Sequence, residues 1–264
     1  CMILAITAMG MLGEAGAQSK LDPAISAYKP STSVSGNLNG VGSDTMVNLM
    51  TFWAEGFKKF HPDVKIQVEG KGSSTAPPAL IEGTAQLGPM SRSMKSSEID
   101  RVQKKYGFKP SHINAALDGI GVYVNKDNPL EELTMQQLDG IFSKTLKMGG
   151  SNIDTWGMLG LKDEWANRPI SLYGRNAASG TYGFFKEHAL ANGDYKDTVK
   201  EQPGSASVVQ GITEDRNSIG YSGIGYLTSG VKTVAIAREA GQKALQPTPE
   251  NIASGKYPIS RYLY

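Results

Sequence analysis

"ISLYGRNAASGTYGFFKEHAL", Ile170–Leu190, reads as a strand, a turn and a helix. Apolar residues lead into Gly174 and Arg175. Small residues follow, and Ser179-Gly180-Thr181 then opens a run suited to a helix. A helix start presents unpaired N–H groups and the positive end of a dipole. Glycine lets a ligand approach the backbone, and arginine offers a fork that matches a tetrahedral oxyanion. Taken alone, the turn reads first as a helix cap with an arginine nearby. Two further stretches repeat the design: "VGSDTM" (Val41–Met46) and "GKGSST" (Gly70–Thr75). In open α/β sheets such turns lie at the carboxyl ends of strands, where ligands sit. Three of them converging make an anion site. The candidate site residues are Ser43, Asp44, Thr45, Ser73, Ser74, Arg175, Ser179, Gly180 and Thr181.

The rest of the chain supplies strands and helices in alternation. Met46, Leu49, Met50, Trp53, Phe57 and Phe60 recur at helical spacing, and Val64, Ile66 and Val68 alternate as in a strand. A proline-led helix is expected at "PPALIEGTA", and another at "SSEIDRVQKKYG", capped by Ser96 or Ser97 and stopped by Gly107. Residues 113–125 read as a long apolar strand, and Thr134 with Gln137 forms a capping box. Residues 144–168 read as irregular. Helices are expected at "SASVVQGITED" and "TPENIASGK", and strands at "SIGYSGIGY", "VKTVAIA" and the closing "YPISRYLY". The class is α/β with mainly parallel sheets.

A length of 264 residues suits two lobes, and a formal charge of +2 gives no basic surface on the scale of a nucleic-acid binder. Cys1 is the one cysteine, so no intrachain disulfide forms. His61, His112 and His188 lie far apart and read as packing or surface residues rather than metal ligands. Met2–Leu12 is apolar and ends in the small-x-small triplet Ala15-Gly16-Ala17. Residues 1–17 are therefore expected to be the remnant of a secretory leader, and residues 18–35 a Pro- and Ser-rich linker. The alternatives are lipidation at Cys1, though a polar tether does not follow it, and an apolar tail without a role.

Several chemistries are missing their motifs. There is no G-x-x-x-x-G-K-[ST] loop, no dinucleotide fingerprint and no G-x-S-x-G elbow. No nucleophile–base pair is visible, and Asp118, Asp127 and Asp139 lack metal-loop spacing. No cofactor and no metal are expected.

"GKGSSTAPPALIEGTAQLGPMSR" (Gly70–Arg92) and "GRNAASGT" (Gly174–Thr181) together resemble the phosphate-specific substrate-binding proteins of bacterial ABC transporters. The first serine of that family's G-x-G-S-S turn carries over to Ser73. Its fourteen-residue step to the next glycine loop is kept from Ser74 to Gly88. Its R-x-x-x-S-G-T motif matches Arg175, Ser179, Gly180 and Thr181, and its first turn matches Gly42–Thr45. The resemblance runs from about Gly36 to Tyr264.

It implies a type II periplasmic-binding-protein fold of two α/β lobes joined by two crossing strands. The first part of lobe one would span 36–118, and lobe two 119–256. The second crossing, 257–264, returns to lobe one, which the resemblance implies is C-terminally truncated here. Many relatives carry an aspartate that accepts the proton of hydrogen phosphate; the matching position is Ser91, followed by Arg92. Asp44, standing where many have threonine, then reads as the replacement acceptor, or as a cap for the helix at Thr45. Arg92 reads as a second cation on the ligand, or as a lip residue pairing with Asp44. Ser205 or Ser207 in "GSASVVQ" is either a further donor or a plain cap, and Trp53, Tyr221 and Tyr226 read as core or rim aromatics.

The implied function is a periplasmic or secreted receptor that binds inorganic phosphate and delivers it to the membrane permease of an ABC importer. It would act as a monomer, without catalysis and without nucleic acid. The alternatives are a phosphatase, a secreted protein using the same fold for adhesion or signalling, and a receptor for sulfate, molybdate or tungstate.

Overall fold

The computed structural model describes residues 23–264. The expected leader and Cys1 lie outside the described residues. Residues 23–33 are exposed and form only turns and bends, in a unit separate from that of residues 34–264.

The larger unit begins with β1 (Gly36–Val41), a 3-10 turn (Asp44–Met46), α1 (Val47–Phe60) and β2 (Val64–Glu69). A second 3-10 turn (Ser73–Thr75) runs into α2 (Ala76–Glu82), and α3 (Ser96–Tyr106) follows. Next come β3 (Ala116–Asn125), β4 (Glu132–Thr134) and α4 (Met135–Phe142). After two more 3-10 turns come β5 (Ser171–Arg175), α5 (Gly180–Ala189), β6 (Lys200–Gln202) and α6 (Ser205–Glu214). The chain closes with β7 (Ser218–Gly223), β8 (Val231–Thr233), β9 (Ala235–Ala237), α7 (Pro249–Ala253) and β10 (Ser260–Leu263).

β1 and β2 pair in parallel, and Leu87 bridges to Gly40 beside them. The larger sheet runs β10-β3-β7-β5-β6, with β8 also on β3. Its β5 pairs are parallel, while β3 is antiparallel to β10, β7 and β8. One long strand takes two partners in succession on its way through this sheet: Ala116–Gly119 pairs with β10, and Ile120–Val124 pairs with β7. "VKTVAIA" divides into two strands at buried Val234, because β8 takes β3 as its partner and β9 takes β4.

Local chemistry fixes the ends. Thr134 accepts from the Gln137 N–H at 3.1 Å while Gln137 accepts from the Thr134 N–H at 2.8 Å, closing the box before α4. The cap of α3 is Lys95 rather than either serine. Glu98 reaches back to the Lys95 N–H at 2.8 Å, and Gly107 ends the helix at φ 81°.

The core of lobe two gathers Phe142, Trp156, Phe185, Ile219 and Tyr221. Phe185 stacks on Tyr221 at 3.9 Å, and each such ring buried from water contributes about 2–3 kcal/mol. Beside the first sheet the core is small: Met46, Met50 and Leu263. The expected helix over α1 forms, yet the outer part of its apolar stripe stays exposed. Trp53 is 47% exposed and Phe60 46%, because only Met50 of this helix is buried against a sheet two strands wide.

Candidate functional site

The three turns meet where the lobes face each other. The first leaves β1 at Gly42. The Ser43 N–H donates to the Pro89 carbonyl at 2.7 Å, which fixes this turn against the loop carrying Ser91 and Arg92. The second turn rests on the first, since the Gly72 N–H donates to the Gly42 carbonyl at 2.8 Å. Gly72 has φ 105°, and a Cβ there would stand 2.5 Å from the Ala178 carbonyl across the cleft. Only glycine suits both conditions.

In the third turn Ser179 caps α5, its Oγ accepting from the N–H groups of Thr181 at 3.1 Å and Tyr182 at 3.4 Å. The neighbouring turns close on it. Thr45 Oγ1 lies 3.1 Å from Thr181 Oγ1, and the Ser74 N–H donates to the Ala178 carbonyl at 3.1 Å. Gly180 sits against Ser73 and Ser91 so closely that a Cβ would be 2.3 Å and 2.6 Å from their Oγ atoms. Ser73 Oγ accepts from the Ser91 N–H at 2.9 Å. Ser73 Oγ also lies 3.2 Å from Ser91 Oγ, while both lone pairs of Ser179 meet N–H donors, which leaves the Ser179 proton to donate elsewhere.

Arg175 ends β5 and is 1% exposed. Its Nη1 donates to Ser205 Oγ at 2.6 Å and lies 3.1 Å from Asp44 Oδ2, while Nη2 donates to the Pro203 carbonyl at 3.0 Å. Burial pulls the Arg175 guanidinium below its usual range, and the Asp44 carboxylate opposes that shift. Asp44 does not cap the helix beside it. Its Oδ2 accepts from the Ser205 N–H at 2.8 Å, at the start of α6 in the other lobe. Tyr226 donates its hydroxyl to the Asp44 carbonyl at 2.9 Å; burial, with Asp44 nearby, pushes this phenol up to about 12. Two buried polar atoms of these turns, Ser43 Oγ and Arg175 Nε, have no hydrogen-bond partner among the described residues.

Ser43, Asp44, Thr45, Ser73, Ser91, Arg175, Ser179, Gly180 and Thr181 therefore lie in one cluster. Arg92 is placed differently. It grips Glu98 with two bonds, 2.9 Å and 2.8 Å, and reaches Ser74 Oγ only at 3.5 Å. Both Arg92 and Ser74 line a cavity of about 650 Å³ at the cleft, with Lys95, Ser179, Lys186 and Arg261. The pairing with Asp44 considered for Arg92 is not formed, because Asp44 faces Arg175.

Sequence reasoning missed Arg261 and Asp118. Arg261 is 5% exposed and donates through Nε and Nη2 to Asp118 Oδ2 at 3.0 Å and 2.8 Å. It also donates to the Ser91 carbonyl and to Thr181 Oγ1, both at 2.9 Å. The arginine lies inside an apolar closing strand with no turn motif beside it; the signal was one charge in a stretch that is otherwise largely apolar. Ser205, read as a weak candidate, proves to be one partner of Arg175. Among the described residues no group of His, Cys, Asp and Glu is placed to hold a metal, and no helix is long and apolar enough to cross a membrane.

The PBP superfamily domain matches residues 27–264. The chain is 53% identical over 254 residues to the phosphate-binding protein PstS of Pseudomonas aeruginosa, covering 96% of this chain and 79% of that one. It is 30% identical over 233 residues to PstS of Staphylococcus epidermidis, covering 87% and 68%. Among solved structures, a phosphate ABC transporter substrate-binding protein with bound phosphate from Clostridium perfringens superposes with a TM-score of 0.71 at 28% identity, over 86% of this chain and 84% of that one. An ABC-type phosphate transport receptor from Vibrio cholerae gives 0.63 at 25% identity, over 86% and 84%.

Proposed function

The chain belongs to the phosphate-binding proteins of the PBP superfamily, and on that premise we propose that it captures inorganic phosphate between its lobes and hands it to the permease of an ABC importer. It acts outside the cytoplasmic membrane, as a monomer, and makes or breaks no bond. The observation that carries this reading is the meeting of three hydroxyl-rich turns around buried Arg175. Ser179 presents its proton as a donor, Arg175 supplies the positive charge, and Gly180 lets the Ser73 and Ser91 hydroxyls close on the third turn. Ser43 Oγ and Arg175 Nε support it as well, since a buried polar atom without a partner costs about 1–3 kcal/mol and an oxyanion accepts from both kinds of group. Ser74 and Arg92 belong to the approach, beside the cavity at the cleft.

Selectivity needs an acceptor, because hydrogen phosphate carries a proton and sulfate does not. Asp44 fits this role through Oδ1, which lies outside the two bonds made by Oδ2. Calorimetry with inorganic phosphate, sulfate and a phosphate monoester tests the whole reading. Phosphate is expected to bind without turnover, and Arg175→Gln to weaken it by roughly 100-fold or more, the loss of a buried charge-assisted pair. Metal-dependent release of phosphate from the ester would sink the receptor assignment. An unchanged preference for phosphate over sulfate in Asp44→Asn would remove Asp44 as the proton acceptor.

A further inference from the structure

Resting on the phosphate-receptor reading, we infer that Arg261 is a positioning residue of the anion site: a cation anchored in the hinge that sets the Thr181 hydroxyl as a donor and joins ligand capture to the meeting of the lobes. The anchor comes from strand register. Arg261 and Asp118 stand directly opposite each other in the β10–β3 ladder, so their ion pair needs no movement of either lobe to form. Two donors go to Asp118. The others reach outward in two directions, Nη1 to the Ser91 carbonyl of lobe one and Nη2 to Thr181 Oγ1 of lobe two.

The chemistry of those two bonds is directional. A guanidinium has donors and no acceptor, so Thr181 Oγ1 must accept from it. The Thr181 proton then points away from Arg261, toward Thr45 Oγ1 at 3.1 Å or toward an oxyanion between the two hydroxyls. On the other side Arg261 holds the Ser91 carbonyl. The Ser91 N–H meanwhile donates to Ser73 Oγ, so the residue that Arg261 holds by its carbonyl also holds Ser73 in place. One side chain therefore sets the Thr181 hydroxyl in one lobe and fixes the Ser91 backbone in the other. Asp118 balances the Arg261 charge, so the contribution is geometric rather than a second net charge on the ligand. Arg261 also lines the cavity that borders Ser74 and Ser179, which places it on the route to those hydroxyls.

A purely structural hinge pair would predict a different set of measurements. Inorganic phosphate is titrated calorimetrically into the full chain and into Arg261→Gln, Arg261→Lys, Thr181→Val and the Arg261→Gln/Thr181→Val double variant. Melting is followed with and without phosphate. Arg261→Gln is expected to raise the phosphate Kd by roughly 10- to 100-fold, the scale of one lost charge-assisted bond. Its phosphate-induced rise in Tm should shrink with it. Thr181→Val should cost clearly less in the Arg261→Gln background than in the parent, because the two residues act through one bond. Arg261→Lys, which keeps the charge but not the fork, should fall between, and it carries the same test if the glutamine variant does not fold. A folded Arg261→Gln or Arg261→Lys with the parental Kd overturns the inference, as does strict additivity with Thr181→Val. Failure of the parent itself to bind phosphate overturns the receptor reading instead, and the inference with it.

Discussion

Arg175 meets Asp44 across the cleft, whereas Arg261 meets Asp118 within a single strand ladder. Both arginines are buried, and both use a carboxylate oxygen at about 3 Å. The difference lies in what must be true before each pair exists. Asp44 follows β1 and Arg175 ends β5, so their contact requires the two lobes to meet. Asp118 and Arg261 are Cα partners on β3 and β10, so they meet wherever those strands pair. One pair belongs to a conformation and the other to the fold. On the proposed receptor reading, the hinge pair would stay as a fixed reference while the Asp44–Arg175 contact would form with closure.

That contrast has an energetic form. Removing one partner of a buried pair leaves a charge uncompensated, at about 3–5 kcal/mol. Asp118→Asn should approach that figure in denaturant unfolding, because two Arg261 donors converge on one Asp118 oxygen and both side chains are nearly shut off from water. Asp44→Asn should cost only about 2 kcal/mol. Its carboxylate side chain is 22% exposed, and Arg175 keeps its bonds to Ser205 Oγ and the Pro203 carbonyl. Equal losses in the two variants would erase the distinction.

The same contrast marks what could be read from sequence. Arg175 was legible because it stands beside glycine and hydroxyl residues that only a turn explains, and Ser73, Ser179 and Thr181 shared that signal. Arg261 and Asp118 are 143 residues apart, and register alone brings them together. Nothing local encodes register across such a separation. Asp44 was visible, but its role depends on α6 of the other lobe, which local pattern does not supply. The helices and most strands followed from periodicity and caps. The antiparallel setting of β3 did not, because an apolar run is compatible with either direction.

Gly180→Ala tests closure apart from charge. Alanine is favoured in a helix, so α5 itself should tolerate it. The new Cβ would collide with Ser73 and Ser91 only where the lobes meet. Phosphate affinity should fall roughly 5- to 30-fold, the equivalent of mild overpacking, while phosphate-free stability holds or rises slightly. A loss of phosphate-free stability equal to the loss of affinity would mean that the contact belongs to the fold rather than to closure.

The smallest effect is expected from a third arginine pair, Arg92–Glu98, which lies entirely in lobe one and needs neither hinge nor closure. Burial pushes the Glu98 carboxyl up, but the bonds from Arg92 and the Lys95 N–H outweigh it and hold the group below the usual carboxylate range. A depressed folded value means that its stabilisation is present above the unfolded value and is lost as pH falls through the folded one. Glu98→Gln should therefore lower stability by about 0.5–1 kcal/mol at neutral pH and flatten the acid limb of the stability profile. The same variant decides what Arg92 does. If Glu98 merely holds Arg92 at the lip, phosphate affinity stays at the parental value. If Arg92 is a ligand cation held back by Glu98, freeing it tightens phosphate binding, and Ser74, 3.5 Å from its Nη2, marks the direction it would take.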